Sequence, residues 1–161
     1  WCKGNATTKR SIRWYVMRIR RAEQTDVPEL YDMLTDMHSQ TVLPVSPMKK
    51  DKVMNMIILA ITRGVVYVAT EKNKILGSIG GMSTSDWWST DEYLGDLWFY
   101  VFPEHRKSNI AIKLVKTFIN YGKEVKLKIK LGSVYSGDLR RKDNFFNRLG
   151  FVKAGSLYLE T

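Results

Sequence analysis

A basic stretch, "PEHRKSNIAIKL" at residues 103–114, follows an apolar, aromatic run and opens a segment with helical spacing. A basic turn between a strand and a helix is a common place to hold phosphate. The first amides of a helix lack an intrahelical partner, and the helix dipole favours an anion beside them. This turn contains no glycine, the residue that lets a backbone wrap a phosphate closely, so taken alone it reads equally as a solvated loop. Upstream stand the bulky pair Trp87 and Trp88 and the carboxylates Asp86, Asp91, Glu92 and Asp96. The indoles fit either a packed loop or the wall of a ligand pocket, and carboxylates beside them would suit a cationic ligand. His38 is placed to cap a helix end or to reach the same pocket.

Several chemistries are excluded at once. The chain has no GxxxxGK(S/T) phosphate loop, no GxGxxG after a strand, no HExxH and no GxSxG. "GSIGG" at 77–81 reads as a glycine-rich strand with a structural role. Cys2 is the one cysteine, and with His38 and His105 it makes neither an internal disulfide nor a zinc cluster, so no metal site is expected. A reducing, cytoplasmic compartment is the expectation. No run approaches the roughly 20 apolar residues of a membrane span.

The elements that must position these residues follow from periodicity. Val16–Arg21 alternates as a strand. Asp26 is expected to cap a helix with Pro28 in its first turn, running to about Gln40 on an apolar stripe of Leu30, Met33, Leu34 and Met37. The prolines of "TVLPVSPM" impose a loop, and Ser46 with Pro47 is expected to start a second helix ending at Gly64. "VVYVAT", a turn at "EKNK" and "ILGSIGGM" make a hairpin. The loop "STSDWWSTDE" leads to "YLGDLWFYVF", residues 93–102, apolar on both faces and therefore central. A helix from Ile110 to Gly122, a strand at 125–131 with Lys126, Lys128 and Lys130 on one face, a helix at Leu139–Leu149 and closing strands at Phe151–Ala154 and Ser156–Glu160 complete the order β-α-α-β-β-β-α-β-α-β. The fold class is α/β (α+β), a mixed sheet with helices on both faces.

From Arg106 the basic turn reads Arg-Lys-Ser-Asn-Ile-Ala, which resembles the Gln/Arg-x-x-Gly-x-Gly/Ala signature of the GNAT superfamily, the Gcn5-related N-acetyltransferases. Arg106 and Ala111 match the ends of that pattern, and Asn109 stands at a glycine position. "RIRRAEQTDVPEL" looks like the family's first strand and helix, "KNKILGSIGGM" like its second hairpin, and "LWFYVFPEHR" like the strand and turn before the cofactor. "NFFNRLGF" at 144–151 resembles the closing "xFYxxLGF". The resemblance runs in order from Met17 to the C-terminus and is closest to a bacterial and phage subgroup. It implies a GNAT-type mixed sheet of about 6–7 strands flanked by about four helices, a single domain over 17–161, and residues 1–16 as an upstream or tail segment.

The resemblance also implies acetyl-CoA as cofactor and acetyl transfer to a primary amine, from a small molecule or a peptide. Main-chain groups of Phe99, Tyr100 and Val101 would pair with the pantetheine arm. Residues 106–111 (Arg106, Lys107, Ser108, Asn109, Ile110 and Ala111) would cradle the phosphates. Asp96, with Glu92 second, is the candidate base for the attacking amine. A common family position for that carboxylate aligns with Gly95, so Asp96 is also readable as a structural polar group. The family's thiolate donor is the tyrosine of "FYxxLGF"; here Phe146 occupies that position and would only pack against the thioester. Tyr135 is the candidate replacement, with water as the alternative. His38, Trp87, Trp88 and Glu92 are the candidate acceptor-site residues. Phe146 motivates a second reading, a catalytically degenerate CoA-binding interaction module.

The net charge of +10 raises nucleic acid as a third partner class, and residues 1–16 contribute four of those charges and no acid. Without a recognisable nucleic-acid motif this ranks last. No membrane partner is expected, and a homodimer is left open.

Overall fold

The computed structural model describes residues 16–41, 46–132 and 138–156. Apolar stripes decide which helix faces which side of the sheet. In α1 (Val27–Ser39), Val27, Leu30, Met33 and Leu34 are buried; in α2 (Lys50–Arg63), Ile57 and Ala60 are. Both pack on one side against Val66, Val68, Ile75, Trp98 and Tyr100. The stripe of α3 (Ile110–Glu124), which buries Ile110, Leu114, Val115 and Phe118, covers the other side against Val65, Ile79, Leu94 and Val101. The short helix α4 (Leu139–Arg148) adds Phe145, and Leu149 just past its end, at the margin of that second core.

Between these layers the strands β1 (Arg18–Arg21), β2 (Val65–Glu71), β3 (Lys74–Ser85), β4 (Glu92–Val101) and β5 (Lys128–Lys130) lie in sequence order. Neighbours are antiparallel except β4 and β5, which are parallel and joined through α3. The mixed α/β class is as expected, but five strands are formed among the described residues where about six or seven were expected. Residues 151–154 do not form the closing strand, and 157–161 lie outside the described residues.

Other boundaries differ for local reasons. The expected strand at 125–131 shrinks to Lys128–Lys130, because Lys126 sits at φ 59° and Leu127 donates to the Gly122 carbonyl (2.8 Å), turning the chain before it can pair. α2 starts at Lys50 rather than Ser46, and the Ser46 carbonyl instead accepts from His38 Nε2 (3.0 Å). Asp26 precedes α1 without capping it. Its carboxylate takes both guanidinium branches of Arg20 (2.7 and 2.8 Å) and the Glu23 amide (2.8 Å), and the Arg20 bond holds it below the usual carboxylate range.

One irregularity in β4 decides which side chains each core receives. Gly80 pairs with Trp98 and Gly81 with Asp96, so Leu97 is an extra residue, a β-bulge. Leu94 before the bulge faces the α3 core, whereas Trp98 and Tyr100 after it face the α1/α2 core. Strict alternation would have kept these three even-numbered positions on one face. The glycines opposite are structural, as expected: a Cβ on Gly80 would lie 2.5 Å from the Trp98 indole, and one on Gly81 2.5 Å from the Phe118 ring.

Candidate active site

The open edge of β4 is built by hydrogen-bond parity. Phe102 donates its N–H to the Leu76 carbonyl (3.1 Å), so the main-chain groups of Tyr100 and Phe102 turn toward β3. Those of Phe99 and Val101 turn the other way, toward β5. Yet β5 pairs with β4 only at Tyr93, Leu94 and Gly95. Beyond Gly95 the two strands part, and this length of β4 has one strand edge without a partner strand among the described residues.

Asp96 stands where they part. Its Oδ1 accepts from the Gly132 amide just past β5 (2.7 Å), so one carboxylate spans the fork. Burial pushes its pKa up to about 6, while the Gly132 bond pulls the other way. The bulge comes at once after it, at Leu97.

The far end of the open edge leads into the basic turn. A 3-10 turn at Pro103–His105 carries the chain round, Ser108 Oγ donates to the His105 carbonyl (2.6 Å) and accepts from the Ile110 amide (3.3 Å), and the Asn109 carbonyl accepts from the Lys113 amide (3.0 Å). The amides of Lys107, Asn109, Ala111 and Ile112 meet no protein acceptor among the described residues. These donors lie at the start of a 15-residue helix, where the macrodipole adds to their pull on an anion. Asn109 adopts φ −87°, ψ 8°, so the glycine position of the pattern needs no left-handed backbone here.

Arg106 is engaged elsewhere. Its Nε donates to the Val101 carbonyl (2.9 Å), its Nη2 donates to Gln40 Oε1 (2.9 Å), and the guanidinium lies 5.2 Å from the Tyr100 ring centre. Gln40 Nε2 in turn donates to the Tyr100 hydroxyl (2.6 Å) and to Asp36 Oδ2 (2.8 Å), and Tyr100 donates to the same Asp36 oxygen. Burial, and then Asp36, raise the Tyr100 pKa, so the phenol stays protonated. The last turn of α1 is thus tied through β4 to the first residue of the cradle. Because Arg106 occupies the Val101 carbonyl, the edge groups left are the N–H and C=O of Phe99 and the N–H of Val101. Burial and the charge of Arg106 lower the pKa of Lys142 on α4.

Residues 62–153, more than half of the chain, match the family model described as an acetyltransferase (GNAT) domain. The chain belongs to the GNAT acetyltransferases. Comparison with curated proteins finds no match. Among solved structures, an acetyltransferase from Trypanosoma brucei is 16% identical with a TM-score of 0.66, over 91% of this chain and 100% of that one. A predicted acetyltransferase from Clostridium acetobutylicum, solved with acetyl-CoA, is 18% identical (TM-score 0.68, 90% and 96% covered). An aminoglycoside antibiotic 6′-N-acetyltransferase from Acinetobacter baumannii is 15% identical (TM-score 0.68, 91% and 97% covered). At these identities the likeness is one of fold.

Within this GNAT frame the other expected site residues fall in three places. Phe146 packs in an aromatic cluster with Phe99 (6.5 Å between ring centres), Phe145 (5.2 Å) and Phe151 (6.0 Å), beside the open edge. His38 is held by Ser46 at the end of α1. Trp87, Trp88 and Glu92 lie at the β3–β4 hairpin tip, the end of β4 away from the cradle. Tyr135 lies outside the described residues. Asp36, Gln40 and Lys142 were not foreseen. The i, i+4 spacing of Asp36 and Gln40 is visible in sequence, but the partners that give it meaning, Tyr100 and Arg106, lie far along the chain. Among the described residues no group of three His, Cys, Asp or Glu side chains is placed to hold a metal ion, and no helix is long and apolar enough to cross a membrane.

Proposed function

We propose that residues 17–161 form one domain that acetylates a primary amine at the expense of acetyl-CoA, by direct transfer, with Asp96 as the base. The observation that carries this reading is the position of Asp96. A carboxyl with its pKa pushed up to about 6 sits at the fork of β4 and β5, at the head of an edge that leads to free helix-terminal amides. The donor set fits acetyl-CoA. The amides of Lys107, Asn109, Ala111 and Ile112 suit the pyrophosphate, with Lys107 and Lys142 adding charge. The edge groups of Phe99 and Val101 suit the amide-bearing pantetheine arm. The acetyl-CoA bound by the Clostridium acetobutylicum relative and the amine acceptor implied by the name of the Acinetobacter baumannii enzyme support the same assignment.

An amine attacks only when neutral. Asp96 takes one proton from the incoming ammonium, and its raised pKa matches it to that task near neutral pH. Acetyl-CoA supplies the activated thioester. A C–N bond replaces the C–S bond, and the second nitrogen proton passes to the departing sulfur, so no tyrosine is needed at position 146. Transfer to a simple monoamine should therefore rise with pH through an inflection near 6 and plateau above it. Failure to bind acetyl-CoA at high micromolar concentration in calorimetry would overturn the reading. The absence of a hydroxyl on Phe146 favours a second one, a module that binds CoA without turnover. Tight CoA binding with no acetyl transfer to any amine class would select it.

A further inference from the structure

We propose that Trp87 and Trp88 hold a second positive charge of the acceptor, and that the acceptor is an elongated di- or polycationic amine. This rests on the acetyl-transfer reading. Trp87 is 92% exposed and Trp88 68%, and the two rings meet edge to face with centres 5.3 Å apart. Two adjacent indoles in water form an apolar patch at the apex of the hairpin, and patches of that kind mark binding surfaces.

The tip is held in shape. Ser89 donates its amide to the Asp86 carbonyl (3.0 Å), and Asp91 donates its amide to Ser89 Oγ (3.0 Å). Lys130 forms an ion pair with Asp86, its ammonium 3.9 Å from the Tyr93 ring centre, so the charge of Asp86 is answered from within the chain. Asp91 and Glu92 make no ion pair among the described residues. Indole faces beside two unanswered carboxylates, on a protein of net charge +10, select a cation over any other ligand.

Position along β4 links the tip to the chemistry. The cradle and the open edge lie at the C-terminal end of β4, so the acetyl donor reaches Asp96 from that side. The acceptor must then come from the N-terminal end, where the tip stands. Glu92 and Asp96 are four residues apart on one strand, which at about 3.3 Å per residue is roughly 13 Å. One ammonium bound at the tip and one amine delivered to Asp96 therefore require nitrogens about that far apart. A short monoamine engages only one of the two positions.

The test uses the full chain and a series of α,ω-diaminoalkanes of about four to twelve carbons, each against the monoamine of the same length. For nitrogens roughly 13 Å apart, the KM of the diamine should be about tenfold below that of its monoamine. In Trp87→Ala/Trp88→Ala, and separately in Asp91→Asn/Glu92→Gln, that ratio should fall to about one. A wild-type ratio near one at every length overturns the proposal, as does a ratio that survives both double variants. So does a change of oligomeric state in the tryptophan variant, which would mark the tip as a contact between copies. If no amine is acetylated, calorimetry with a long tetra-amine in the presence of CoA separates the two ideas. Binding that both double variants abolish upholds the tip while the transfer reading fails; no binding overturns the tip.

Discussion

The two ends of β4 offer different kinds of groups to a ligand. At the C-terminal end the groups offered are main-chain amides and carbonyls: Phe99, Val101 and the first turn of α3. Side chains there, Arg106 above all, are turned inward to fix the backbone. At the N-terminal end the side chains themselves are offered: Asp96 at the fork, Trp87, Trp88, Asp91 and Glu92 at the tip. A surface made of backbone tolerates substitution, because every residue but proline brings the same amide. A surface made of side chains does not.

That contrast orders what substitution should do. Asp96→Asn should have the largest effect, cutting kcat about 10²–10⁴-fold while leaving the Kd for CoA within about twofold, measured by steady-state kinetics and calorimetry. The same variant carries a stability signature. Asp96 has a folded pKa of about 6 against an ordinary 3.8, so the native state binds the proton more tightly than the unfolded chain between those values. Stability of the wild type is therefore lost as pH rises through that window, and the Tm advantage of Asp96→Asn should grow across it and level off above. Next in size is Ala111→Pro, which deletes one cradle amide at a place where a first helical turn accepts proline. A charge-assisted hydrogen bond is worth about 1.5–3 kcal/mol, so the Kd for CoA should rise roughly 10–150-fold, with Ala111→Gly close to wild type. If Ala111→Pro instead binds CoA normally, the cradle amides are not the anion site.

Gln40→Ala should raise the Kd for CoA only about fivefold, the weight of one ordinary hydrogen bond. In an Arg106→Ala background it should add nothing, because Gln40 acts on the cradle through that guanidinium; additive effects in the double variant would break the chain of contacts. Smallest of all is Phe146→Tyr. With the leaving sulfur taking its proton from the attacking nitrogen, kcat should change by less than about threefold, and a large gain would show that the chain lacks an acid it needs.

Much of the frame was legible because it is written in local periodicity. The stripes of α1 and α3 and the two-faced β4 all appear where the spacing places them. The basic turn reads as a candidate anion site only with its neighbours. What was hidden was long-range. The pattern shows Arg106 as a cation near phosphate, but not that Val101 and Gln40 claim its donors. Lys128 and Lys130 alternate well enough to be a strand, yet nothing local says that pairing stops at Gly95, and that stop is what opens the edge. In the sequence Asp96 stands beside the family's usual base position and so reads in two roles. Its actual surroundings depend on Gly132 and on a bulge that no single-residue preference reveals.

That bulge sets a rule about counting. Leu97 is 39% exposed, and its side chain belongs to neither core. Many residue types would serve there. Removing the position would set Asp96 beside Trp98, opposite Gly81 and Gly80, and plain alternation from Leu94 would then keep Trp98 and Tyr100 on the side of α1 and Phe99 on that of α3. A residue added after it is another matter: everything that follows would turn over, the Tyr100 hydroxyl would leave Asp36, and the open edge would be set by different residues. Here the chain has one residue to spare and no room for another, so scans of substitutions and of deletions would both score Leu97 as forgiving, while an insertion beside it would score among the most damaging.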